Sequence, residues 1–192
     1  MKLDQVQVTN FRNLTSISFS PSPSLTIIKG VNGSGKSSLI EALYYLGFGR
    51  SFRTNKHSSV IQHEKNEFSV FASCHNEAGD RQKIGFQRTR ADQFTCSIDG
   101  EHSKKLSDLV SLVPIQLFTP QSTDLIIGSP SERRRFCDWG LFHVKHEFQS
   151  VANQYAKFLK HRNALLKQHA DLSAPENHYW ETQFALLGES LT

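Results

Sequence analysis

The sequence predicts an α/β fold in which a mixed sheet carries an antiparallel meander and is followed by a helical second lobe. Three observations predict it. A β-rich run, Leu25-Thr26-Ile27-Ile28-Lys29, feeds into a glycine-rich loop and then into a segment of helical spacing. Three strand-like runs, 67–75, 82–90 and 93–98, are separated by turn-formers. From residue 129 onward apolar residues recur at three- and four-residue intervals. The 192 residues suffice for a buried core. The expected boundary falls at 128/129, giving a first lobe of 1–128 and a helical portion of 129–192.

The elements follow in order. Leu3, Val6 and Val8 alternate with polar residues up to Asn10-Phe11-Arg12-Asn13, and Leu14, Ile17 and Phe19 precede a Ser/Pro-rich turn, so the start reads as two short strands. After the glycine loop, Leu39, Leu43 and Leu46 take helical spacing. Periodicity lapses through GRSFRTNKHSS, which predicts a loop, with a short helix around Val60-Ile61. The meander turns at Asn76–Asp80 and at Asp99-Gly100, a dipeptide suited to a tight hairpin because it tolerates positive φ. Val113 to Phe118 is another apolar run. Ser129-Pro130-Ser131-Glu132 then combines an N-cap serine, a proline at the first helical position and a glutamate placed for a capping box. Phe148, Val151, Tyr155, Phe158, Arg162 and Leu165 mark one long helix of about 145–169. Ala174-Pro175 breaks it, and 176–190 is helical again.

Composition excludes several classes. Hydrophobic content is 38% with a mean hydropathy of −0.43, and no apolar run approaches the roughly 18 residues of a membrane span. The start lacks the basic-then-apolar order of a secretory signal, so a cytoplasmic protein with no membrane partner is expected. Three scattered cysteines fit reduced thiols. The net charge of +4 is concentrated: residues 50–90 hold eight Lys/Arg against four Asp/Glu. Such a local excess suits a polyanion, although a solvated basic face has the same composition.

Gly30-Val31-Asn32-Gly33-Ser34-Gly35-Lys36-Ser37 matches the phosphate-binding pattern G-x-x-x-x-G-K-[ST], and Ser38 follows it. Glycines at 30, 33 and 35 let successive N–H groups turn inward around an anion, and the next helix adds the positive end of its dipole. Lys36 supplies a cation to the β- and γ-phosphates, and the Ser37 hydroxyl a ligand to the bridging magnesium, so ATP and Mg2+ are the expected cofactors. Hydrolysis also needs an acidic residue at the end of a second strand. Asp99 and Asp138 are the nearest candidates, but the first sits in a hairpin turn and the second in a helical context. An LSGG-like signature is also missing, so no catalytic residue is assigned and this chain is not expected to turn over ATP alone.

Asn10-Phe11-Arg12-Asn13, about twenty residues before the loop, resembles the head domain of SMC-like and ABC-type ATPases. GRSFRT (49–54), QLFTP (116–120), GSPSERRRFCDW (128–139) and KFLKHRNALLKQ (157–168) resemble the RecF family of bacterial recombination and repair proteins. The resemblance implies a P-loop NTPase of ABC-ATPase head type and an ATP-dependent DNA-binding protein that dimerises on nucleotide. It further implies action on gapped or single-stranded DNA, with RecO and RecR as partners, to load the recombinase in recombinational repair, replication-fork maintenance and the SOS response. A weak ATPase is implied for the complete family protein. In the family the Walker B and signature motifs lie in the C-terminal half, so this chain resembles the N-terminal half. The resemblance also places Arg12 toward phosphate and the Asn13 backbone toward the base side, and puts the Q-loop glutamine at Gln116 or Gln121.

The remaining constellations are weaker. Arg50, Arg53 and Lys56, interleaved with Phe52, and Arg81, Lys83, Arg88 and Arg90 make the basic excess, and phosphate neutralisation by such residues suffices for DNA contact. The alternative is that Arg50 and Arg53 order the ATP site or pair with local carboxylates. Arg133, Arg134 and Arg135 point in three directions on a helix, and one is expected in a structural salt bridge. His143 and His146 lack further ligands at metal spacing. The rival functions are a small-molecule kinase or transport ATPase sharing the loop, and a catalytically incomplete chain acting only by protein association.

Overall fold

The computed structural model describes residues 1–76, 78–103, 105–145, 147–168 and 175–191. Two compact units divide between Thr119 and Pro120, on the N-terminal side of Ser129 where the sequence reading set its boundary.

The first unit is a six-stranded sheet in the order β2-β1-β3-β4-β5-β6. Its strands are β1 (Lys2–Phe11), β2 (Leu14–Phe19), β3 (Glu67–His75), β4 (Arg81–Thr89), β5 (Phe94–Ile98) and β6 (Glu101–Ser103). The pairings are antiparallel. Alternation decides which face is covered: Val6 and Val8 of β1, Phe68, Val70, Ala72 and Cys74 of β3, and Ile84 and Phe86 of β4 are buried, while the intervening side chains face outward. Helix α1 (Lys36–Phe48) contributes Ala42, Tyr45 and Leu46 to this core. The Tyr45 ring lies 5.6 Å from Phe11, 5.0 Å from Phe68 and 5.7 Å from Phe86, and such aromatic pairs add about 0.5–1.5 kcal/mol each beyond their burial. At the Asp99-Gly100 hairpin both residues have positive φ, 53° and 89°, the geometry that dipeptide favours. A 3-10 turn at His57–Val60 and a short helix α2 (Leu106–Leu112) complete the unit, and α2 sets Leu109 in the core.

One expected strand differs. Residues 25–29 carry no ladder, and Leu25 and Ile27 are 70% and 66% exposed. The run has β propensity, and Ile28 packs against the core, but a strand exists only through neighbours that share its backbone hydrogen bonds, and none of the described ladders includes it. The parallel pairing expected of a mixed sheet is therefore not among the described ladders. The 113–118 run likewise carries no ladder.

The second unit is helical: α3 (Asp124–Ile127), α4 (Pro130–Val144), α5 (Phe148–Lys167) and α6 (Pro175–Ser190). Helix α4 begins where the sequence predicts, with Ser129 extended at the N-cap and Pro130 at the first position. The capping box does not form, because the Ser129 hydroxyl bonds that of Ser131 at 2.5 Å and the Glu132 carboxylate takes Arg135 Nη2 at 2.9 Å. That pair is the salt bridge expected of one of the three arginines. Helices α5 and α6 meet through Tyr155 stacked on Phe184, Phe158 and His161 against Trp180, and Arg162 Nε bonded to Glu181 at 3.1 Å. No residue of α3, α4 or α5 is fully buried. Ala174 and His146, named above, lie outside the described residues.

Cys74 and Cys96 sit in the sheet core and Cys137 is exposed on α4. Burial raises both sheet thiols, that of Cys96 to about 11. Among the described residues no helix is long and apolar enough to cross a membrane.

Candidate functional site

The glycine-rich loop leads into α1 through Gly35, whose φ of 95° is left-handed. A Cβ there would also lie 2.5 Å from Leu14 Cδ2, so conformation and space both demand glycine. The first helical bond runs from Leu39 N to Gly35 O at 2.9 Å, which leaves the amides of the preceding residues outside the helix ladder. Lys36 Nζ donates to Gly30 O and Val31 O, both at 2.8 Å, so the ammonium draws the start of the loop toward the helix. Val31, Asn32, Gly33, Ser34 and Ser37 are exposed, whereas Ser38 is buried.

A second segment braces the loop. Asn13, in the β1–β2 turn, donates from Nδ2 to Gly33 O at 2.8 Å and accepts from Ser38 Oγ at 2.9 Å. One amide thus fixes both the loop and the first turn of α1. Arg12, at a positive φ of 51°, sends its guanidinium to the buried Glu41 of α1, with Nε 2.5 Å from Oε2 and Nη2 2.7 Å from Oε1. Ser51 Oγ donates to Glu41 Oε1, and Arg53 Nη1 reaches Oε2 at 3.4 Å.

The sequence reading missed Glu41 and Ser51. A signal for Glu41 existed: it is the lone carboxylate in SSLIEALYYL, at the helical spacing that puts Ser38, Ala42 and Tyr45 on the buried face. Nearby, burial pushes the Tyr45 hydroxyl up to about 12. Its partner His57, with Nδ1 3.1 Å from Tyr45 Oη, is held below the usual histidine range by burial and then by the Arg88 charge.

The basic stretch does not fold into one patch. Arg88 is buried, bonding Gly49 O at 3.0 Å and Asp92 at 2.9 Å, and Arg90 bonds the carbonyls of Lys65, Gln62 and Ser58. Arg53 is half-exposed and pairs with Glu41, while Arg50 and Lys56 are exposed in the same loop. Arg81 and Lys83 are exposed on β4 and line a surface cavity with Asp4, Ser73, Gln82 and Asp99. Arg81 stands seven residues along β4 from Arg88, roughly 23 Å at strand rise. The 50–56 cations, next to the Arg88 end, are therefore separate from Arg81 and Lys83.

Gln116 is exposed, with Nε2 3.5 Å from Leu117 O, and the Gln121 side chain lies outside the described residues. Among the described residues no group of three or more His, Cys, Asp or Glu is gathered as a metal site. The loop's own donors fit a magnesium–triphosphate by chemistry: backbone amides, an ammonium and an exposed hydroxyl at the first turn of a helix. Gly33 has a left-handed φ of 83° that favours glycine, and no protein atom lies within 4 Å of where its Cβ would be.

The RecF/RecN/SMC N terminal domain family matches residues 2–173. The DNA replication and repair protein RecF of Pseudoalteromonas atlantica (strain T6c / ATCC BAA-1087) is 50% identical over 193 residues, covering 100% of this chain and 53% of that protein. The protein of the same description from Pseudoalteromonas translucida (strain TAC 125) is 41% identical over 198 residues, with 100% and 52% covered. The chain thus spans about half the length of the curated relatives it matches. A solved structure described as the recombination mediator protein RecF-ATP in the RecFOR pathway superposes with a TM-score of 0.84 at 26% identity, over 99% of this chain and 52% of that one. An SMC ATPase structure superposes with a TM-score of 0.61 at 19% identity, over 72% of this chain and 99% of that one, which extends the likeness of fold to SMC heads.

Proposed function

We propose, from the premise that the chain belongs to the RecF/RecN/SMC N-terminal domain family, that it is the ATP-binding half of a DNA-binding protein of replication and recombinational repair. The observation that carries this reading is the loop of residues 30–37, turned through a left-handed Gly33 and braced by Asn13, with Lys36 bonded to its first carbonyls. Lys36 is positioned to exchange its two carbonyl oxygens for phosphate oxygens, and Ser37 offers its hydroxyl to magnesium. The bound metal neutralises charge on the β- and γ-phosphates. Arg12 faces Glu41, and its part in nucleotide binding is indirect unless a phosphate draws it away. The Asn13 side chain orders the loop, which leaves its backbone as the group toward the base side.

The relatives' descriptions as RecF and the RecFOR context of the ATP-bound neighbour support a repair role. On the same reading the complete protein dimerises on ATP, binds gapped or single-stranded DNA and works with RecO and RecR to load the recombinase, within the SOS response and in the cytoplasm. The loop cations Arg50, Arg53 and Lys56 and the strand cations Arg81 and Lys83 are then two DNA-contact candidates, not one continuous track.

The test is titration calorimetry of this chain with magnesium ATP. Binding is expected, and Lys36→Ala is expected to weaken it at least about tenfold, in line with loss of a charge-assisted contact. Equal heats from the two proteins would remove the role given to the loop. In a version extended to the relatives' full length, DNA affinity should fall steeply with salt, and a flat response would exclude the cations.

A further inference from the structure

Glu41 lies fully buried on α1, five residues beyond Lys36, and three side chains from two chain segments converge on its carboxylate. Arg12 comes from the β1–β2 turn, whose next residue, Asn13, holds the phosphate-binding loop. Ser51 and Arg53 come from the loop after α1. The seats are unequal. Arg12 grips both oxygens in a fork, at 2.5 and 2.7 Å, whereas Arg53 reaches only Oε2, at 3.4 Å. The Ser51 hydroxyl has a single proton, which it gives to Glu41. Its oxygen accepts the amides of Arg53 at 2.9 Å and Thr54 at 3.1 Å. The backbone of 51–54 is therefore anchored, through one hydroxyl, to the same carboxylate that holds Arg12.

We infer that Glu41 is a shared seat for which Arg12 and Arg53 compete, and that it couples occupation of the phosphate-binding loop to the order of residues 49–54. This rests on the nucleotide-binding reading above. A triphosphate in the loop places several negative charges beside the turn that carries Arg12. Whatever part of that guanidinium's bonding shifts toward phosphate is withdrawn from Oε2, the oxygen that Arg53 already approaches. Arg53 then closes on Glu41 and the loop tightens. By linkage, tightening the loop favours nucleotide to the same degree. The loop also carries Arg50 and Lys56, exposed cations suited to a polyanion, so the device would let an anion at either place be felt at the other.

Hydrogen exchange at the Arg53 and Thr54 amides of the 192-residue chain tests this with and without nucleotide. Arg12→Lys replaces the fork with a point contact and frees Oε2. It is expected to slow exchange at both amides about threefold or more, the effect of strengthening one charge-assisted bond. In an Arg53→Ala background, a change at a half-exposed residue that the fold should tolerate, the same substitution should have no slowing effect. A carboxylate with a merely structural role predicts the opposite sign, because losing the Arg12 fork then only loosens the network. Faster or unchanged exchange in Arg12→Lys overturns the inference. With magnesium ATP bound, wild-type exchange at these amides should also slow, and Arg53→Ala should cancel the response. Unchanged exchange at nucleotide concentrations that calorimetry shows to be saturating likewise overturns it. If calorimetry finds no ATP binding to the wild-type chain, the functional reading fails, while the nucleotide-free arm still decides whether the two arginines compete.

Discussion

The two units of this chain use aromatic residues in opposite ways. In the first, Tyr45, Phe11, Phe68 and Phe86 interlock between helix and sheet with almost no solvent contact. In the second, Tyr155, Phe158, Trp180 and Phe184 pair across two helices while none of α5 becomes fully buried. The difference is one of layers: a sheet gives a helix a broad surface to cover, whereas two helices share only a seam. Ring pairing contributes in both units, and it is burial that separates the two cases.

Truncations sharpen that contrast. Phe68→Ala should cost about 3–5 kcal/mol, the range for deleting a buried aromatic side chain, read from hydrogen exchange of the β3 amides in denaturant. Phe158→Ala, at a half-buried position, should cost less than about 2 kcal/mol. The chain's two tryptophans, Trp139 and Trp180, both lie in the helical unit, so their fluorescence reports that unit. Comparable losses at the two sites would break the contrast. Gly35→Ala comes next. An alanine at φ 95° meets strain of about 1–3 kcal/mol and the Leu14 contact besides, so the unfolding midpoint should drop and ATP affinity with it.

A pH effect follows from His57, whose proton affinity in the fold is lowered by burial and by Arg88. Above about pH 6.5 the ring is neutral folded or unfolded and contributes no pH dependence. As pH falls below that value the unfolded chain takes the proton first, so stability declines until the folded ring protonates too. His57→Asn should remove this part of the decline, seen as a smaller pH 7 to pH 5 shift in urea midpoint than wild type. The smallest change is expected at Arg162, a partly exposed partner of Glu181 that also lies over the Phe184 ring. Arg162→Ala should cost about 0.5–1 kcal/mol, and a larger loss would mean that the helix pair depends on that cation.

Features written in local rules were legible in advance. The start of α4 follows from serine and proline in sequence, and the Asp99-Gly100 turn from two residues that accept positive φ. The 25–29 strand was not, because propensity describes one segment whereas a ladder needs two. Likewise the capping box at Ser129 failed to a competitor three residues away or less, Ser131 for the hydroxyl and Arg135 for the carboxylate. In the candidate site, the glycine loop was readable from spacing, and the approach of Asn10–Asn13 to it only from family resemblance. Glu41 was overlooked because a carboxylate in an apolar helix looks like a solvated position until its partners, 29 residues upstream and 10 to 12 downstream, come into view. The basic stretch misled in a different way. Charges adjacent in sequence were distributed by strand β4 to its two ends, and Arg88 and Arg90 were used internally.

The cysteines have a practical use. With two sulfurs sealed in the sheet and unwilling to ionise, a maleimide dye added near neutrality should attach at Cys137 alone, giving a fluorophore on α4 of the unaltered chain without cysteine engineering.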